Sequence, residues 1–195
     1  MKKTWKQMKK WERRVAIARD VLKLISKPNI NATDDGDYVC EINGPDKPDF
    51  GAKIKKSHKC SVCAKGGLML AFMDLTGKAF NREKQNAVRI EKNGDGNYTR
   101  EIRHDGIVAA LSSIFPVEQL HAVEQCYEQW CFAHPSWSLD RTPVQSHFVE
   151  SFYCERNRDR RLRGIMGNII HNRGTFVPEQ GPIFTTRMGR KLAAV

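Results

Sequence analysis

The chain has 195 residues, 40% of them hydrophobic and 28% charged, and a formal net charge of +11. That length and balance suit one folded domain and exclude the low-hydrophobicity regime of disordered chains. No stretch nears the roughly 20 apolar residues of a membrane span, and Met1-Lys2-Lys3-Thr4-Trp5-Lys6 lacks the apolar core of a signal peptide, so a cytoplasmic protein with reduced cysteines is expected.

From Thr4 to Ser26, Met8, Trp11, Val15, Ala18, Leu22 and Ile25 recur at steps of three and four, which predicts an amphipathic helix. Lys6, Lys9, Lys10 and Arg13 fall on the face opposite that stripe. Such a face suits an anionic partner, and equally a solvated surface. Pro28 ends the helix near Lys27, and Asn29 to Asp37 is turn chemistry. Tyr38 to Ile42 reads as a short strand and Gly44 to Gly51, with two prolines, as a loop. Ser61 to Leu75 predicts a second helix, apolar nearly all round and so a central core element.

Farther on, Ala87-Val88-Arg89-Ile90-Glu91 and Asn97-Tyr98-Thr99-Arg100-Glu101-Ile102 flank Asn93-Gly94-Asp95-Gly96, a β-hairpin pattern. The segment from Glu91 to Asn97 also imitates the start of a calcium loop, but position twelve is Ile102 where a bidentate acid belongs. Asp105 to Phe115 reads as helical, and Pro116 suits the first turn of another helix carrying Leu120, Val123, Tyr127 and Trp130. A short helix follows Pro143 through Phe148 and Phe152. The last helix is capped by Asn157, carries Leu162, Ile165, Met166, Ile169 and Ile170, and stops at Gly174. The expected fold is mainly α: a single compact helical domain over residues 1–178 with a small β-hairpin near 87–103 (α+β), then a basic C-terminal tail over 179–195.

Charge is concentrated at the two ends. Residues 1–27 hold ten Lys and Arg against Glu12 and Asp20, and residues 156–195 hold nine against Asp159 and Glu179. Separation of this kind points to an anionic partner, nucleic acid above all. The candidate anion-binding residues are Lys6, Lys9, Lys10 and Arg13 at one end and Arg156, Arg158, Arg160, Arg161 and Arg163 at the other, because guanidinium forks match phosphate geometry. They form one surface only if the fold brings the two ends together.

Cys60 and Cys63 have the Cys-x-x-Cys spacing of zinc sites, with Cys131 and His134 as partners that complete a tetrahedral set. The competing reading is that Cys63, opening an apolar helix, is a small core residue, and no cofactor is then needed. No nucleophile elbow, phosphate-binding loop or His-Glu-x-x-His signature is present.

Three segments, Arg14-Val15-Ala16-Ile17-Ala18-Arg19-Asp20-Val21-Leu22, Cys60-Ser61-Val62-Cys63-Ala64, and Arg161-Leu162-Arg163-Gly164-Ile165-Met166-Gly167-Asn168-Ile169-Ile170 running on to Gly174-Thr175-Phe176-Val177-Pro178, resemble an uncharacterised family of small proteins carried by phages and prophages. The resemblance implies a cytoplasmic accessory protein of a mobile element and carries no catalytic residue with it. The expectation is therefore a non-enzymatic accessory protein, of the counter-defence kind, that binds nucleic acid or a nucleotide immune signal. The alternatives are a protein-protein inhibitor of a host or defence enzyme, and a metal-dependent, nuclease-like enzyme.

Overall fold

A computed structural model describes residues 3–33, 39–42, 59–77, 88–92, 98–102, 111–128 and 146–184. Helix α1 spans Lys10–Leu24 and buries Val15, Ile17, Ala18, Val21 and Leu24. It starts six residues later than the periodicity predicts. The Thr4 backbone N–H and hydroxyl both donate to Gln7 Oε1, which fixes a 3-10 turn over Trp5–Gln7 instead. The Trp5 ring meets Phe72 edge-on at 6.0 Å, pinning this turn to the core.

Strands β1 (Ile30–Ala32), β2 (Val39–Ile42) and β3 (Lys59–Val62) form one small sheet in the order β1-β3-β2. β1 runs parallel to β3 and β2 antiparallel to it, so Ile30 lies opposite Cys60 and Val39 opposite Val62. Because Lys59–Val62 joins this sheet, helix α2 begins at Ala64 rather than Ser61 and runs to Thr76. Gly77 ends it with φ +66°, a left-handed terminator. Strands β4 (Val88–Lys92) and β5 (Tyr98–Ile102) pair antiparallel with Val88 opposite Ile102, the hairpin expected from the sequence. Residues 93–97, where a turn or calcium loop was expected, lie outside the described residues, as does most of the helix expected over 105–115.

Helices α3 (Val117–Tyr127), α4 (Ser146–Tyr153) and α5 (Arg158–His171) complete the described fold, which is mainly helical with little sheet. Trp130 lies outside the described residues. The core is one cluster in which Ile17 and Val21 of α1, Leu68 of α2, Val123 of α3, Phe152 of α4 and Leu162, Ile165 and Ile169 of α5 are buried together. No helix among the described residues is long and apolar enough to cross a membrane.

α1 and α5 pack antiparallel, as both ends of the pair show. At one end the Arg163 guanidinium reaches Ile25 O at 3.2 Å and Ser26 Oγ at 3.3 Å. At the other, Gly174 sits so close to α1 that a Cβ there would lie 2.6 Å from Trp11 O. Gly174 also has φ +86°, so it alone satisfies both the turn and the approach.

The chain remains docked well past the expected boundary at 178. Asn168, fully buried on α5, donates from Nδ2 to Val177 O and Gly181 O, both at 2.8 Å, and accepts at Oδ1 from the Val177 N–H at 2.9 Å. The Ile183 N–H then bonds Gly164 O at 3.0 Å, and Ile183 is itself buried. Residues 179–184, expected as part of a tail, thus belong to the packed body.

Candidate anion-binding hollow

The C-terminal end of α1 and the start of α5 meet at an open hollow of about 800 Å³. Its wall comprises Ile25 to Pro28, β1, and the first residues of α5 with Arg156 and Asn157 before them. Among the described residues, four cations, Lys27, Arg156, Arg158 and Arg163, line it with one carboxylate, Asp159. Local chemistry explains each position. Helix α1 ends at Leu24, and Pro28, which has no N–H to continue a helix, turns the chain into β1. Asn157 caps α5 by accepting the Arg160 N–H at 3.0 Å, which sets Arg156 and Arg158 on either side of the helix start.

Arg163 Nε pairs with Asp159 at 2.6 Å while its terminal nitrogens reach Ile25 O and Ser26 Oγ. A cation thereby satisfies an orphan carbonyl at the α1 C-terminus, a favourable placement against the helix dipole. The Lys27 and Arg156 side chains are exposed and, among the described residues, make no hydrogen bond or ion pair. They are the cations most available to an incoming anion.

The other expected anion-binding residues separate into distinct roles. Arg161 is only 6% exposed: its Nε donates to Glu155 O at 3.1 Å, its Nη1 donates to Tyr127 O at 2.8 Å, and its guanidinium lies 4.6 Å from the Tyr153 ring centroid. It ties α5 to α3 and α4 and is not open to a ligand, which corrects its expected place in an anion site. Arg160 pairs with Glu155 Oε2 at 3.0 Å and lies over Phe184, away from the hollow's wall. At the other end, Arg13 donates to Trp5 O and Lys6 O and holds the N-terminal turn. Lys6, Lys9 and Lys10 are exposed around the start of α1.

The antiparallel packing puts these residues at the far end of the α1–α5 pair, about 20 Å from Arg156 and Arg158 at 1.5 Å per residue. The two clusters named from the sequence therefore do not meet directly. Sequence reasoning passed over Lys27, whose charge counted in the total but whose place beside α5 depends on tertiary packing.

Of the four expected zinc ligands, Cys131 and His134 lie outside the described residues, and Cys60 is on β3. Cys63 is fully buried and caps α2, its Sγ accepting the Gly66 N–H at 3.4 Å. Burial, with the neighbouring carboxylate of Glu128 adding to it, pushes the Cys63 thiol well above its ordinary range. Among the described residues no group of three His, Cys, Asp or Glu side chains is arranged to hold a metal ion.

A second polar cluster is enclosed between α2 and α3. Lys65 pairs with Glu124, and His121 Nδ1 lies 3.9 Å from the same carboxylate oxygen. Burial acts to raise the Glu124 pKa, but the His121 hydrogen bond and the Lys65 charge outweigh it and hold the group below its ordinary value. This is a desolvated ion pair locking two helices. Comparison with family models, curated proteins and solved structures gave no match to this chain.

Proposed function

We propose that the protein is a binding protein for a phosphate-bearing anion, nucleic acid or a nucleotide, held in the hollow between the end of α1 and the start of α5. The observation that carries this reading is the company kept by the α5 N-terminus. Cations are unfavourable there, because the helix dipole already places positive charge at that end. Yet Arg156, Arg158, Arg160 and Arg161 crowd it with Asp159 as the only acid in the first turn. Arg160 and Arg161 have structural partners, whereas Arg156 has none among the described residues. An anion in the hollow relieves that repulsion and accepts from forked guanidinium donors. The resemblance to phage-borne proteins supports an accessory role for a mobile element.

The test is titration of the protein with inorganic pyrophosphate, a mononucleotide and a short DNA, read by calorimetry at several salt concentrations. Binding that weakens linearly on a log-log salt plot, and that is lost in Lys27→Glu/Arg156→Glu, supports the reading. Binding unaffected by that double reversal removes it. Capture of a host protein that persists after nuclease treatment, with no phosphate binding, would favour instead an inhibitor docking its basic face on an acidic protein surface.

A further inference from the structure

The hollow is one end of a longer feature. On α1, Arg13, Ala16, Arg19 and Lys23 follow one another at steps of three and four and so lie along one side of the helix, with Lys9 at its N-cap and Lys27 three residues beyond its end. Lys9, Arg19, Lys23 and Lys27 are exposed and Arg13 and Ala16 half-buried, while Val15, Ile17, Val21 and Leu24 turn to the core. The acids beside this line are already occupied. Glu12 takes Lys3 at 2.6 Å, and Asp20, buried and with its pKa raised by that burial, takes Lys23 at 3.1 Å. Arg19 is exposed and has no ion-pair partner among the described residues. The basic line thus runs from the cluster at the start of α1, past Arg19, to Lys27, where it opens into the hollow beside Arg156 and Arg158.

We infer that this line and the hollow together form one track for the sugar-phosphate backbone of a double-stranded nucleic acid, read by charge and shape and not by base. The inference rests on the reading of the hollow as an anion site and extends it. At 1.5 Å per residue, α1 alone, from Lys10 to Leu24, covers about 21 Å. At 3.4 Å per nucleotide of one strand that is about six nucleotide steps, far beyond the reach of a mononucleotide.

The track also lacks what single-strand binding uses. Among the described residues, no aromatic ring lines the hollow. Trp11, the one exposed aromatic on α1 at 42%, lies roughly 140° round the helix from the line. Single-strand sites depend on aromatic stacking platforms, whereas a duplex presents a regular, denser row of phosphates that a charged helix face can follow.

The decisive experiment is fluorescence anisotropy with two duplexes of about 20 base pairs and unrelated sequence, a single strand of the same length, and a labelled mononucleotide. Each is titrated with the wild type, with Arg19→Ala and with Lys27→Glu/Arg156→Glu, after circular dichroism has shown all three folded. Both duplexes should bind within about twofold of each other and more tightly than the single strand. Arg19→Ala should lower the log-log salt slope by about one for the duplexes and leave mononucleotide binding unchanged, because Arg19 lies outside the hollow.

Duplex binding no tighter than mononucleotide binding, or indifferent to Arg19→Ala, would overturn the track while leaving the hollow intact. Tighter binding of the single strand would overturn the duplex assignment. If the double reversal in the hollow changes nothing for any probe, the underlying anion site fails, and the track with it.

Discussion

At the scale of single residues, side chains that look ready for chemistry are mostly structural. Asn168 makes three hydrogen bonds to the backbone of Val177 and Gly181 from a fully buried position. Asn168→Ala leaves buried carbonyls and an amide unpaired and is expected to cost about 3 kcal/mol, visible as a lower urea midpoint at unchanged slope. Three cysteines whose burial is described divide by it. Cys63 and Cys126 are enclosed, and burial lifts the Cys126 thiol to about 12, whereas Cys154 is exposed. Brief alkylation of the native protein at pH 8 should therefore label Cys154 and spare Cys63 and Cys126, as read by peptide mass spectrometry.

Asp20 gives a pH signature. Its carboxyl is raised by burial, and Oδ2 has no hydrogen-bond partner. A raised folded-state pKa means that the stability present with the group protonated is lost as pH rises through that pKa. Asp20→Asn should then raise the urea midpoint at pH 7, and the advantage should vanish below the ordinary carboxylate range, in denaturation series at the two pH values. Arg161 was misread from sequence because its charge was weighed ahead of its position. The signal was present: Arg161, Ile165 and Ile169 lie four apart on one buried line, so the guanidinium was bound to point inward.

Among elements, those specified by neighbouring residues were legible in the sequence and those specified by distant partners were not. Helix α5 could be read from its Asn157 cap to Gly174, since both signals lie within one turn of the helix ends. The β4–β5 hairpin was equally legible from alternation around a glycine-rich centre. The parallel pairing of β1 with β3 was not, because a three-residue strand within turn chemistry has no periodicity of its own and exists through the partner it meets. The close approach of α5 to residues 182–184 was also invisible. Gly164 is required there, as a Cβ would fall 2.6 Å from Pro182 Cβ. Gly164→Ala is expected to push that segment away, break the Ile183 N–H bond to Gly164 O and expose the chain beyond Gly181 to protease, with cleavage mapped by intact mass.

For the molecule as a whole, a net charge of +11 opposes its own compact state, most strongly where cations crowd the α5 N-terminus. Phosphate should therefore raise the melting temperature more than chloride at equal ionic strength, by preferential binding to the folded state. Lys27→Glu/Arg156→Glu should abolish that difference, a comparison open to differential scanning fluorimetry. The candidate anion site was half legible: the sequence supplied the charges, but which of them share a wall depends on the antiparallel seating of α1 on α5.

That seating also sets the order of events during synthesis. α1 leaves the ribosome first, and α2 soon brings Gly67 to within van der Waals reach of Val21. Yet Gly174, which closes the other side against Trp11, follows some 150 residues later, roughly eight to thirty seconds at about 5–20 residues per second. Through that interval the nascent helix holds a cationic face and an uncovered apolar flank together, the pattern that calls for a chaperone until the last helix arrives.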